Sequence, residues 1–240
     1  MKAVILIPAR WASTRFPGKP LTPIAGVSLV RRVFDRAVTV RGATAVYVAT
    51  DDDRIASHVR AFGGNVLQPE GDFQTGTDRI AAAVRLLPPG FDQVINVQGD
   101  EPLIDTESVD RVIDALQHEP IDIATLASPI ETDEEYTSQD VVKVVTVLSG
   151  DALYFSRAPI PFGSREAARR HIGLYGYQTR ALLRFASLPR TPLERTESLE
   201  QLRALQNGFK IRVLHTDKPH LGVDRPEDVP RVESELAKLR

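Results

Sequence analysis

The sequence predicts an α/β protein built on a parallel sheet, and three observations carry that prediction. Over about the first 115 residues, apolar runs alternate with stretches whose apolar residues recur at helical spacing, the pattern of strands joined by crossover helices. The first run, Ala3-Val4-Ile5-Leu6-Ile7, is apolar throughout and reads as a fully buried strand. Three polar loops, at 8–20, 72–79 and 98–102, fall where an open parallel sheet places its ligands, past the carboxyl ends of the strands.

The elements follow in order. The loop after the first strand closes at Gly26, and Leu29, Val30, Val33, Phe34 and Ala37 mark an amphipathic helix over 28–40. Ala45–Ala49 is the next strand. It ends in Thr50-Asp51-Asp52-Asp53, aspartates that can cap and charge the helix carrying Ile55, Val59 and Phe62. Gly63-Gly64 stops that helix and Asn65–Leu67 is a short strand. Thr77 opens a helix with Ile80, Ala83, Val84 and Leu87 inward, and Gln93–Gln98 is a third long strand ending at Gly99-Asp100-Glu101-Pro102. The second half differs. Ile123–Ala127, Val141–Val147, Ala152–Ser156 and His171–Tyr177 read as strands with few long helices between them, an antiparallel ribbon. Helices over 179–187 and roughly 194–206, a strand at Lys210–His215 and a closing helix at Pro226–Leu239 complete the chain. Pro226 suits a first helical turn, whereas Pro230 removes a backbone donor and is harder to place. Neither a repeat nor a linker divides the 240 residues, so one domain is expected.

Composition narrows the function. With 42% hydrophobic and 26% charged residues the chain is globular, and a net charge of −2 supplies no general field for nucleic acid. The absence of cysteine excludes disulfides, thiolate metal sites and a cysteine nucleophile, and it fits a reducing compartment. The chain enters its first strand directly, and no apolar run approaches the ~18–20 residues that span a membrane, so a cytoplasmic protein without membrane insertion is expected.

The opening loop carries the chemistry. It holds Arg10, Arg15 and Lys19 with the hydroxyls of Ser13 and Thr14, a set suited to a polyanion, above all a nucleoside triphosphate. It is neither a G-x-x-x-x-G-K-[ST] phosphate loop nor a G-x-G-x-x-G dinucleotide turn, which disfavours ATPases and dehydrogenases of those types. Arg10 or Lys19 can instead pair with a nearby carboxylate. Asp100 ends a buried strand and is a hard oxygen ligand suited to Mg²⁺, or else a helix cap; Asp224, just before a proline-initiated helix, leaves the same two readings open.

The loop Ala9-Arg10-x-x-Ser13-Thr14-Arg15-x-Pro17-Gly18-Lys19-Pro20 resembles the start of the bacterial cytidylyltransferases that activate acidic eight- and nine-carbon sugars, most closely those acting on 3-deoxy-D-manno-octulosonate (Kdo). Seven more segments resemble that family in its order: Gln74–Arg79, Val94–Pro102, Val142–Val145, Ala152–Arg157, His171–Tyr177, Leu199–Arg203 and Gly222–Asp228. The resemblance implies a three-layer αβα, Rossmann-like nucleotidyltransferase fold of glycosyltransferase-A type, with a mixed, mostly parallel sheet and a small antiparallel dimerisation ribbon. It implies CTP and Kdo as substrates, Mg²⁺ as cofactor and a homodimer, with no nucleic acid as partner. Residues of about 1–120 would form the nucleotide half and about 121–240 the sugar-binding and dimerisation half. Pro8, Ala9, Arg10, Ser13, Arg15, Lys19, Gln74, Thr77, Arg79, Gln98 and Asp100 are implied at the nucleotide. Asp100 and Asp224 are implied as metal ligands that act in catalysis with Lys19 and Arg15. Arg157, His171, Tyr175, Glu200 and Gln201 are implied at the sugar, where a forked cation, a phenol and an amide suit a polyhydroxy carboxylate. Phe73 departs from the histidine that the family often shows there. For His171 and Tyr175 an ordinary packing role is open. Glu194, Glu197 and Glu200, spaced by three, are expected to be solvated in part. The neighbouring readings are a sialic acid or other acidic-sugar nucleotidyltransferase and a non-catalytic nucleotide-binding homologue, the latter opposed by the retention of both aspartates.

Overall fold

A computed structural model describes residues 1–12, 16–73, 75–218 and 220–238. Its contacts divide into two compact units, Met1–Asp110 with Pro219–Arg240, and Arg111–Lys218.

In the first unit β1 (Ala3–Pro8) is buried along nearly its whole length, as an apolar run must be when it is covered on both faces. A hairpin of β2 (Pro23–Ile24) and β3 (Val27–Ser28) turns through Ala25 and Gly26, at φ 46° and 78°. Then α1 (Leu29–Ala37) buries the five apolar residues anticipated from their spacing. β4 (Ala43–Ala49) leads to α2 (Asp53–Ala61), whose first turn is capped by Asp52: its carboxylate accepts from the N–H groups of Arg54 and Ile55. β5 (Asn65–Leu67), α3 (Gly76–Val84) and β6 (Gln93–Asn96) follow. The strands pair in parallel in the order β6-β1-β4-β5, with Ile5 opposite Val46 on one side and Ile95 on the other. The helix α4 (Thr106–His118), absent from the sequence reading, starts where Asp105 accepts from Ser108 N–H at 2.9 Å. Its buried residues Val109, Val112, Ile113 and Leu116 carried the helical spacing that would have revealed it.

The second unit is mixed. β7 (Ile123–Pro129) leads to the short α5 (Asp133–Thr137), β8 (Lys143–Thr146), β9 (Ala152–Ser156) and the long β10 (Arg169–Gln178). β10 runs antiparallel to β7 and β8, and β8 antiparallel to β9, so the expected ribbon is present. The β7–β10 register shifts between Ile172 and Tyr175, and the Thr125 hydroxyl fills the break, 3.1 and 2.8 Å from the carbonyls of Ile172 and Leu174. After α6 (Thr179–Ala186) comes the clearest departure from the sequence reading. The single helix expected over 194–206 is two, α7 (Pro192–Glu197) and α8 (Gln201–Gln206), broken at Ser198, whose φ is 54°. The glutamates there are not a solvated face. Glu194 is 2% exposed and lies 3.3 Å from Arg203, and Glu197 accepts from Ser156 and from Arg157 N–H. β11 (Ile211–His215) pairs in parallel with β7.

The last segment belongs to the first unit. A 3-10 turn at Pro226–Asp228 precedes α9 (Val229–Lys238), so Pro230 falls in the first turn of α9, where its missing N–H has no intrahelical partner to lose.

Candidate active site

The first unit contains a depression beyond the carboxyl ends of β1 and β6. β1 supplies Pro8, the loop behind it Ala9, Arg10, Lys19 and Pro20, and the 98–100 turn Gln98, Gly99 and Asp100. The start of α3 adds Phe73, Thr75, Gly76 and Arg79, and the closing segment adds Asp224. Three expected loops therefore meet at one place.

Two close approaches build it. A Cβ on Gly99 would lie 2.6 Å from the Pro8 carbonyl oxygen, so only glycine lets the 98–102 turn pass this near the end of β1. Val223 N–H donates to the Asp100 carbonyl at 2.9 Å, which brings the loop of Asp224 against the turn of Asp100. Lys19 lies between the two carboxylates, with its Nζ 2.7 Å from Asp100 and 3.8 Å from Asp224. The pairing of Lys19 with a carboxylate, left open by the sequence, is realised with both aspartates. Neither aspartate caps a helix. Arg225 occupies the cap position of the 3-10 turn, and Asp228 reaches back to accept from the N–H groups of Asp224 and Arg225.

The opening loop is anchored at its base. Gly18, at φ 71°, donates to the Trp11 carbonyl and leads into the 3-10 turn that presents Lys19. The Arg54 guanidinium lies 3.5 Å from the centre of the Trp11 ring and is itself forked onto Asp52 at 3.0 and 2.6 Å. That fork holds the Asp52 carboxyl below its usual range. Arg10 is exposed on the rim. Ser13, Thr14, Arg15 and Gln74, all expected at the nucleotide, lie outside the described residues.

Other expected residues are placed differently. Thr77 is 1% exposed in α3 and does not line the depression; Thr75 and Gly76 do. Thr75, and not Thr77, opens α3, capping it by accepting from Asp78 N–H at 3.1 Å; the spacing Thr75-x-x-Asp78 is the signal that could have marked it. Arg79 is 5% exposed and pairs with Asp51 at 2.7 Å, so its charge is shared before any ligand arrives. Phe73 stands beneath it, with the guanidinium 5.0 Å from the ring centre. Asp51, Phe73 and Thr75 were not singled out as ligand residues, because their placement depends on contacts distant in sequence.

The residues implied at the sugar all belong to the second unit. Arg157 donates through Nε to the Glu197 carbonyl at 3.0 Å and through a terminal nitrogen to that of Gln139 at 2.8 Å. His171 packs against Phe155 and Tyr175 with Nε2 3.0 Å from the Thr125 hydroxyl, and desolvation pushes its pKa down to about 3, so the ring is neutral near pH 7. Tyr175 is buried, and desolvation first, then the nearby Tyr177 and Glu200, raise its phenol well above the usual value. Gln201 is buried and Glu200 half-buried at the start of α8. Lys143, missed by the sequence reading, is fully buried and donates to the carbonyls of Ser138, Val141 and Arg157 at 2.6–2.7 Å.

A cationic loop, a paired-carboxylate corner and a helix start at the carboxyl ends of parallel strands define a nucleotidyltransferase, and residues 4–211 match the cytidylyltransferase family. The chain is 48% identical to a 3-deoxy-manno-octulosonate cytidylyltransferase of Syntrophotalea carbinolica and 46% identical to one of Geobacter sulfurreducens, each alignment covering 100% of both proteins. A solved CMP:2-keto-3-deoxy-manno-octonic acid synthetase in complex with CTP superposes with a TM-score of 0.94 at 38% identity, covering 100% of both chains. A 4-diphosphocytidyl-2C-methyl-D-erythritol synthase from Anaerococcus prevotii shares the fold at a TM-score of 0.67 and 16% identity, over 98% of this chain and 99% of that one. The chain belongs to the 3-deoxy-manno-octulosonate cytidylyltransferase family of α/β nucleotidyltransferases.

Proposed function

We propose that this chain transfers the CMP moiety of CTP to the anomeric hydroxyl of Kdo, releasing pyrophosphate and activating the sugar for lipopolysaccharide assembly. The observation that carries the reading is the convergence of Lys19, Asp100 and Asp224 at the mouth of a depression that the strand ends and the start of α3 enclose. In such a transfer the hydroxyl forms a bond to the α-phosphorus while the bond to pyrophosphate breaks in line, and positioning with charge neutralisation supplies most of the catalysis. Arg10 and Lys19 would hold the departing phosphates, joined by Arg15, while the N–H groups at the start of α3 face the nucleotide.

Asp100 and Asp224 would hold Mg²⁺. Their chemistry fits: both are hard oxygen donors, they are already drawn to one cation in the Lys19 ammonium, and Mg²⁺ takes one or two protein carboxylates with the remainder from phosphate and water. Among the described residues no group of three acidic or imidazole side chains forms a protein-only cage. Bound there, Mg²⁺ would offset charge on the α-phosphate and lower the pKa of the attacking hydroxyl. The second unit would supply the sugar contacts and the surface between two copies; exposed Leu148 and Phe162 support the latter. No helix of the described residues is long and apolar enough to cross a membrane. The reaction would take place in the cytoplasm, where CTP is available.

The direct test is pyrophosphate release with CTP and Mg²⁺ against Kdo, an amino analogue of Kdo and sialic acid. Kdo should be preferred, and Asp100→Asn should lower turnover by at least about a hundredfold with the fold intact. Release with sialic acid alone, or undiminished turnover of Asp100→Asn, would overturn the reading.

A further inference from the structure

Immediately behind the corner of Asp100 and Asp224 lie a carboxylate and an imidazole that the proposed chemistry does not use. The side chains of Glu101 and His220 are 14% and 9% exposed, and Glu101 Oε2 is 3.5 Å from His220 Nδ1. Among the described residues that oxygen and both ring nitrogens are buried without a hydrogen-bond partner. A buried carboxylate oxygen and a buried imidazole nitrogen without hydrogen-bond partners favour remaining near each other, because a shift that parts them leaves both without a polar neighbour.

Glu101 directly follows Asp100, and His220 lies four residues before Asp224. The pair therefore ties together the two segments that carry the aspartates. It adds to two contacts already described, the Lys19 ammonium between the carboxylates and the bond from Val223 N–H to the Asp100 carbonyl at 2.9 Å; Gly222 passes close by, with a Cβ there 3.7 Å from the same oxygen. One backbone bond and one long, flexible lysine side chain leave the segments room to shift; a further contact between buried groups reduces it. We infer that Glu101 and His220 are positioning residues, a strut that fixes the separation of the Asp100 and Asp224 carboxylates.

This inference rests on the reaction proposed above, so its test includes a measurement that does not depend on that reaction. Glu101→Ala, His220→Ala, the double variant and the conservative Glu101→Gln are compared with the parent protein. The measurements are pyrophosphate release over a Mg²⁺ titration, calorimetric binding of CTP at fixed Mg²⁺, and thermal melting. Each alanine variant should raise the Mg²⁺ needed for half-maximal rate and lower kcat by about tenfold or more, with the KM for Kdo little changed, since a displaced carboxylate impairs the metal corner and not the sugar contacts. CTP binding at fixed Mg²⁺ should weaken in parallel. The double variant should be no worse than either single one, because one broken strut is as slack as two. Glu101→Gln, which keeps shape and a polar end, should recover most of the loss.

Parental Mg²⁺ dependence in either alanine variant would overturn the inference, as would multiplicative losses in the double variant. It would also fall if the losses vanished when each protein was assayed well below its own melting temperature, since that is the behaviour of a merely structural pair. If the parent protein released no pyrophosphate from CTP and Kdo, the proposed function would fail by itself, and the CTP calorimetry would still decide the strut.

Discussion

Gly99→Ala tests how tightly the corner is built. The new Cβ would stand 2.6 Å from the Pro8 carbonyl oxygen, a backbone atom at the end of a strand paired on both sides. Ordinary contact begins at 3.4 Å, so either the end of β1 or the 98–102 turn must give way by about 0.8 Å. β1 cannot move far, since Ala9 N–H is bonded to Ala49 and Val97 N–H to Leu6. The turn moves instead and takes Asp100 with it, away from Lys19 and from Val223. Overpacking of this kind costs about 1–3 kcal/mol, which for a chain of this size lowers the melting temperature by roughly 2–12 °C. A displacement near 1 Å at a reacting centre costs up to about a hundredfold in rate. The expected outcome is a modest loss of thermal stability with a disproportionate loss of pyrophosphate release, read by melting and by steady-state rates on the same preparation. Parental rates in a variant that melts normally would refute the close approach as the reason for glycine.

Three further outcomes follow from the same geometry. Lys19→Met removes the cation between two partly exposed carboxylates, so melting without Mg²⁺ should fall by an amount of order 1 kcal/mol, and added Mg²⁺ should restore more stability than it gives the parent; equal responses to Mg²⁺ would count against a shared cation position. Lys143→Met leaves the carbonyls of Ser138, Val141 and Arg157 without their donor, and a loss of about 2 kcal/mol or more in denaturant unfolding is expected; a loss below about 0.5 kcal/mol would show that the cradle contributes little. His171 has a folded pKa of about 3 against an ordinary 6.5, so between those values the unfolded chain binds the proton that the native state refuses. Its contribution is present above pH 6.5 and is lost as pH falls toward 3, at about 1.4 kcal/mol per pH unit at most. His171→Phe should therefore flatten the acid side of the stability profile, and an unchanged acid slope would refute the desolvated ring.

Much of this protein is written locally. The strands of the first unit, the cap at Asp52 and the helix of Leu29–Ala37 depend on neighbours within a few residues, and periodicity and turn chemistry report such neighbours directly. The eight family segments carry the kind of site for the same reason, since each is a short loop or strand end whose residue types suit phosphate or metal. What periodicity could not report is which of several similar residues faces where. Thr77 was the candidate on this loop, yet Thr75 lines the depression and Thr77 is buried, because the start of α3 turns one threonine outward and the next inward. Glu194 and Glu197 looked solvated until a break at Ser198 folded α7 and α8 together and gave the first of them Arg203.

Periodicity, loop composition and motif order along the chain establish the class: a parallel α/β frame, polar loops at its strand ends, and membership of a nucleotidyltransferase family. That Lys19 stands between Asp100 and Asp224, that Arg79 pairs with Asp51, and that Glu101 meets His220 is visible in the folded chain alone. Each of those pairs joins segments far apart in the chain, and their contacts form only when the sheet and the crossing loops have brought the segments together. The energy of a buried charge depends on what surrounds it in space, so no pattern along the chain can assign its partner.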